Sequence, residues 1–525
     1  MGIFGSIIDG GNGGLAASRL PAIIAPKVMV ACGDSITQGG NATHASVGIA
    51  IGNFSGSGTT GTITCGANGQ ALAEMPVGNT FYLANFNETE WNGEKTVATN
   101  NGTTVTFINS IALTATPTLA ASKAAIYFGS DISTNNRNFL KICNGLMGMP
   151  FGSIWNRAVS GMTSTQYLPY FADAIAKRPN FLWLMIGTND VLSATSTTFE
   201  TTIIANIKTM VQQALDAGAT VLLSTIPPLT GAGGSGNPTP QGSLTVSQTQ
   251  QMVLRLNRLI RQYAQSKIGV VLIDTHRVWA SKTTNDWAQT GSVYTSDGTH
   301  PTSKAAFDLA LEIKTILGLE YQRPFPLMES ALDEYATDAT SSNIIQNGLL
   351  IGTAGSPGTG ITGNVATNYG LQRYAGVPTA NCAVVANSVA GNNQQMTMTL
   401  SANNDQIEFT NFNSGILNKI QNFAGSYIQI KAYFKQASVP ANTQRGPNAT
   451  LEFVIGGVTF RQYLCGSTGG SVSGDSNAEI CLYGEPIYVP SGTVTLAYFR
   501  NIVEFAGNAT GAVYEFGRLS VEKLS

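Results

Sequence analysis

Between residues 27 and about 320 the apolar positions alternate between two patterns. Short unbroken runs read as strands buried on both faces: "KVMVAC" (27–32), "FGSIWNRAV" (151–159), "NFLWLMIG" (180–187), "TVLLSTI" (220–226) and "GVVLID" (269–274). Between them, apolar residues recur at helical spacing. "RNFLKICNGLMG" (137–148) predicts one helix, and "STQYLPYFADAIAKR" (164–178), with Leu168, Phe171, Ala172 and Ile175 on one face, predicts another. A third carries Ile203, Ile207, Met210 and Ala214 and ends at Gly218; Thr197 followed by Glu200 predicts a capping box at its start. Met252, Leu256, Leu259 and Tyr263 mark a fourth, and a last helix from Thr302 shows Leu309, Ile313 and Ile316. Continuous apolar strands between amphipathic helices predict an α/β unit, a parallel sheet covered on both faces.

Two regions break this alternation. From about 42 to 134, "GTTGTITC", "NTFYLANF", "KTVATN" and "TTVTFINS" predict short strands with turns between them, a small β-module inserted after the first strand. After about 325 the helical spacing stops. "SYIQIKAYFK", "ATLEFVIGGVTFRQYL", "VTLAYFRNIVEF" and "AVYEFGRLSVEKL" alternate as half-buried strands do, which predicts a β-sandwich over 326–525.

The chain has 525 residues, enough for two to four domains, with 43% hydrophobic residues, only 11% charged and 58 glycines. That composition suits an extracellular or virion protein. A net charge of −2 offers no footprint for nucleic acid or an anionic membrane. No apolar run approaches the ~20 residues that span a bilayer. The opening "MGIFGSIIDGGNGGLAASRL" lacks a basic n-region, so no secretory signal is expected, and residues 1–26 read as a leader or docking segment. The six cysteines form no CxxC pair, so neither zinc nor another cofactor is expected. Cys32 and Cys143 sit in apolar patterns and should pack as small hydrophobes; Cys465 and Cys481 either bridge a hairpin or stay as thiols.

Four short blocks carry candidate chemistry: "GDSI" (33–36), "NRAVSG" (156–161), "GTND" (187–190) and "SDGTHP" (296–301). The first three end strands and the fourth precedes the last helix, so all can converge beyond the carboxyl ends of the sheet. A serine hydroxyl is a weak nucleophile unless a base takes its proton. Ser35 is the candidate nucleophile, His300 the base, and Asp297 the group that orients the imidazole. The backbone N–H of Ser35, the N–H of Gly161 and the side-chain amide of Asn189 are the candidate oxyanion donors.

This set of blocks resembles the SGNH/GDSL hydrolase family over about 27–45 and 136–320. The resemblance implies a flavodoxin-like domain with a five-stranded parallel sheet over 27–325, and metal-free hydrolysis of esters or amide-linked acyl groups. It maps the family's residues onto Ser35, Gly161, Asn189, Asp297 and His300. One departure is the long stretch between Ser35 and Gly161, which the inserted module accounts for. "FNETEWNGEKTVAT" resembles a β-module of phage tail proteins, and "SNIIQNGLLIGTAGSPGTG" resembles the opening of jelly-roll modules on carbohydrate enzymes and phage tail proteins.

The expectation is therefore a serine esterase acting on short acyl groups of a polysaccharide, as a phage tail or tailspike component. An acylated carbohydrate would be its partner. A homo-oligomer is expected, a trimer if it is a tail protein, although no heptad or repeat marks one. Two rivals stand beside this reading: a general short-chain esterase with an accessory domain, and a non-catalytic glycan-binding virion protein. The chain has three histidines; His276, with Asp274 two positions before it, is the decoy for the base, and His44 opens the inserted module as a structural residue. Asp34 and Asp190 are expected to hold their loops through backbone hydrogen bonds. Tyr294 and Thr188 are candidates to line the pocket.

Overall fold

The computed structural model describes residues 27–38, 53–64, 77, 80–84, 86–101, 103–118, 125–128, 138–148, 150–159, 161–229, 242–280, 295, 298–301, 303–318, 327, 330, 343–400, 405–411, 420–438, 444–463, 479–484, 487–505 and 509–524. Five of the strands lie where unbroken apolar runs predict them: β1 (Lys27–Gly33), β2 (Phe151–Asn156), β3 (Phe181–Met185), β4 (Thr220–Ser224) and β5 (Val270–Ile273). They form one sheet in the order β5-β4-β3-β1-β2, with every pair parallel. This is an open parallel α/β sheet with helices on both faces. The chain leaves β1, pairs β2 on one side, then crosses to β3 on the other, so the crevice at the carboxyl ends of β1 and β3 is the switch point.

The helices are α1 (Ser35–Gln38), α2 (Phe139–Leu146), α3 (Ser164–Tyr167), α4 (Phe171–Ala176), α5 (Thr188–Leu192), α6 (Glu200–Asp216), α7 (Val246–Ser266), α8 (Thr275–Trp279) and α9 (Ser303–Leu317). Alternate strand residues feed two cores. Val30, Leu182, Leu184, Val221 and Leu223 meet Ile203, Ile207 and Met210 of α6 with Met252 and Leu256 of α7. Met29, Ala31, Trp183, Met185 and Leu222 meet Phe139 of α2 with Leu309 and Ile313 of α9. Strand side chains alternate across a sheet, so an unbroken apolar strand is the signature of two covered faces.

Two local expectations need correction. The predicted helix over 164–178 is three pieces: α3, a 3-10 turn Leu168–Tyr170, and α4. Pro169 sits in that turn and has no N–H to continue an α-helical ladder. The capping box at Thr197 does not form. The helix starts at Glu200 with Phe199 as N-cap, and the Glu200 carboxylate accepts instead from Arg255 Nε at 2.7 Å.

The inserted region contains a six-stranded sheet among its described residues, Phe54–Ser57 through Ala125–Phe128, with all pairs antiparallel. Trp91, Phe54, Phe86, Phe81 and Phe107 make its own core through edge-to-face and tilted ring contacts. Lys177, after α4, pairs with Glu94 of this sheet, and its ammonium lies 4.1 Å from the Trp155 ring centre on β2. Beyond residue 343 two β-sheets pack face to face. Phe409 of one stacks on Phe516 of the other at 6.1 Å. Apolar contact runs without a break from α2 and α9 into this sandwich, and α2 packs on its strand Glu479–Tyr483.

The expected small hydrophobes Cys32 and Cys143 are buried, and burial pushes the Cys32 thiol up to about 12. Cys465 lies outside the described residues. Among the described residues no helix is long and apolar enough to cross a membrane.

Candidate active site

Ser35 opens α1 directly after β1. The tight turn there depends on Gly33, which pairs with Met185 at the end of β3. A Cβ on Gly33 would lie 2.1 Å from the Met185 carbonyl oxygen, so only glycine lets β1 run this close to β3 and still turn. Ser35 is 7% exposed, and its Oγ lies 2.8 Å from Nε2 of His300. The turn before α9 holds that histidine: Thr295 and Pro301 form an isolated bridge, and the Gly298 N–H donates to Thr295 Oγ1 at 2.9 Å. The Trp279 indole N–H donates to the Ala305 carbonyl at 2.8 Å and fixes the first turn of α9.

The second block follows β2. Arg157 N–H donates to Ala31 and Val159 N–H to Gly33, so the loop continues to pair with β1 past the strand end. It delivers Gly161 with φ of +77°, a left-handed conformation that glycine adopts without a Cβ clash. The third block follows β3, with Gly187 capping α5. Asn189 there donates its Nδ2 to the Met162 carbonyl at 3.1 Å, which brings its amide beside the Gly161 loop. A primary amide has two N–H donors, so one remains for a ligand.

The two loops are clamped from behind. The buried Asp190 carboxylate accepts the Ser164 N–H at 2.7 Å and the Ser164 hydroxyl at 2.6 Å. Asn206 of α6 adds a donor to the same hydroxyl at 3.0 Å. Burial raises Asp190, and the Ser164 bonds oppose that rise. Asp34 is fully buried and accepts the Ile36 N–H at 3.1 Å; burial pushes it up to about 6 against that bond and the charge of His300. Both aspartates therefore hold backbone N–H groups, as expected.

The structure thus brings His300 onto Ser35, and Asn189 beside the loop that carries Gly161. Asp297 lies outside the described residues, as do His44 and Tyr294. The decoy His276 is buried in α8, with its backbone N–H on Thr225 Oγ1. Its neighbour Asp274 is held by both Nε and Nη2 of Arg261 at 2.9 Å. Sequence reasoning missed Ser164 and Asn206. Only the Thr163–Gln166 capping box, a legible T-x-x-Q, marks where α3 starts. Among the described residues no three His, Cys, Asp or Glu side chains gather as metal ligands would. What the geometry can do is pass a proton from Ser35 Oγ to His300 Nε2 beside amide donors.

Residues 140–306 match the model of the GDSL-like Lipase/Acylhydrolase family. That stretch is similar to GDSL-like acylhydrolase domains; it holds Gly161, Asn189 and His300, while Ser35 lies before it, across the inserted module. Two solved structures are similar to parts of the chain. A GDSL-like lipase from Bacteroides thetaiotaomicron shares 25% identity over 31% of this chain and 75% of its own, with a TM-score of 0.26. An acetylxylan esterase from Geobacillus stearothermophilus shares 14% over 57% of this chain and 97% of its own, with a TM-score of 0.31. No curated protein matches the chain.

Proposed function

We propose that this protein is a serine-dependent carboxylic-ester hydrolase that removes short acyl groups, acetyl above all, from a polysaccharide. The observation that carries the hydrolase reading is the 2.8 Å contact between Ser35 Oγ and His300 Nε2 at the switch point of a parallel sheet. Ser35 Oγ attacks the ester carbonyl while Nε2 takes its proton. The oxyanion accepts from the N–H groups of Ser35 and Gly161 and from Asn189 Nδ2. Collapse expels the alcohol, which takes the proton from His300 and leaves an acyl-Ser35. Water then repeats the sequence, with His300 again as base, and releases the acid. Asp297, three residues before His300, is the group we assign to orient the imidazole.

The polysaccharide part rests on the β-rich regions. We take 27–325 as the hydrolase, 42–134 as its inserted module and 326–525 as a jelly-roll-like carbohydrate-binding domain. Tyr374 and Tyr427, both 48% exposed on sandwich strands, offer aromatic faces of the kind that stack on sugar rings. An extracellular or virion setting, including a phage tail, is our inference from the low charge of the chain.

The test is acetate release from a panel of bacterial polysaccharides, with Ser35→Ala as control. Release that the variant abolishes supports the proposal. Turnover of p-nitrophenyl acetate alone would make the protein a general short-chain esterase. Glycan binding with every ester left intact would make it a binding protein. Asn189→Ala should lower kcat by about 10²–10³ with little change in KM, as loss of one oxyanion donor does. A change in KM alone would assign Asn189 to substrate binding.

A further inference from the structure

Asp34 stands between Ser35 and the helix that carries Asn189. Its Oδ1 is satisfied by the Ile36 N–H. Its buried Oδ2 has no hydrogen-bond partner, and neither has the buried hydroxyl of Thr188, the residue before Asn189. That hydroxyl is close enough to favour the ionised carboxylate, yet outside hydrogen-bond geometry. Two charged groups face Asp34: His300, whose cation favours the carboxylate, and Asp190 of α5, which opposes it. A local role in the turn is met by Oδ1 alone, and an uncharged asparagine would serve it equally well. Burying a charge with one oxygen unpaired is costly, so a carboxylate at this position points to work done by the charge.

We propose that Asp34 is a positioning carboxylate of the catalytic centre. Ionised, it accepts a hydrogen bond from Thr188, tying the turn of Ser35 to the helix of Asn189, and its charge supports the imidazolium that His300 becomes when it takes the Ser35 proton. This rests on the hydrolase reading above. In that step the Ser35 O–H breaks as the Nε2–H bond forms on His300, and Oγ bonds to the ester carbon as the carbonyl π pair moves onto the oxyanion; Asp34 exchanges no proton. The same electrostatics makes the working state pH-dependent: burial leaves Asp34 ionising at about 6, within the range where an imidazole also titrates.

Asp34→Asn keeps the Ile36 bond and lets the new amide donate to Thr188, so it removes the charge alone. It should lower kcat by about tenfold, equivalent to one pKa unit of lost interaction, with KM little changed. The acid limb of kcat/KM should move to lower pH, because the Asp34 ionisation at about 6 no longer contributes to it. Thr188→Val should move the same limb to higher pH, because Asp34 loses the donor that favours its ionised form; Thr188→Ser should restore it. A merely structural role produces no such opposite displacements. Limbs that stay in place, or move together, overturn the proposal. If Asp34→Asn does not fold, the Thr188 pair decides: an upward shift in Thr188→Val, cancelled in Thr188→Ser, supports it, and no shift overturns it. Turnover that survives Ser35→Ala would overturn the hydrolase reading itself. A dead Ser35→Ala beside an Asp34→Asn that matches wild type removes only the role of Asp34.

Discussion

The turn at the end of β5 and the turn before α9 offer the same ingredients in sequence: an aspartate, then a histidine two or three positions on. Tertiary structure gives them different work. At β5 the aspartate is claimed by its surroundings, since Asp274 accepts two bonds from Arg261, one from the Thr225 hydroxyl and one from the Arg277 N–H. His276 is then part of the α8 scaffold, buried against the sheet. Before α9 the histidine is half-buried and meets a serine hydroxyl. A histidine becomes a candidate base through a proton it can reach, and a neighbouring carboxylate in sequence says little about that.

The largest expected effect tests this contrast directly. His300→Ala should lower kcat/KM by about 10⁴-fold or more, as loss of the base in a serine hydrolase does, while His276→Ala keeps activity within a few fold. Steady-state kinetics on a soluble acetyl ester reads both. The reverse pattern would move the active site to β5.

Two aspartates sharpen the contrast through stability. Asp34 has a raised pKa, from 3.8 to about 6, so its contribution to stability is complete at low pH and is lost as pH rises from about 4 through 6. Asp34→Asn should therefore be more stable than wild type at pH 8, by up to about 3 kcal/mol, with the gap closing by pH 4. Denaturant unfolding at the two pH values measures it. A variant less stable at pH 8 would mean the carboxylate supports the fold rather than the site.

Asp274 should behave with the opposite sign. Burial works to raise it, but the Arg261 guanidinium and the hydrogen bonds together hold it below the usual carboxylate range. Its contribution is present above about 4 and is lost as pH falls below that. Asp274→Asn should cost about 1–2 kcal/mol at pH 7, and less in acid, with kcat unchanged per folded molecule. Activity lost in proportion beyond the unfolded fraction would tie the β5 turn to the chemistry.

Much of this fold is written locally in the sequence. The five parallel strands follow from unbroken apolar runs, the helices from their periodicity, and the inserted and C-terminal β-regions from where that periodicity changes. These signals are local, because strand and helix patterning depends on residues a few positions apart. The four blocks that hold Ser35, Gly161, Asn189 and His300 were legible as segments that follow a strand or precede a helix. What only the tertiary structure decided is who meets whom. Ser35 and His300 are 265 positions apart, and their contact depends on β1 lying centrally in the sheet with α9 packed on one face. Likewise Arg261 of α7 took Asp274, and Arg255 took Glu200 from its predicted cap, because packing of α7 brought both guanidiniums to those carboxylates. A charge chooses its partner by distance in space and by burial, and neither quantity is written in the order of residues along the chain.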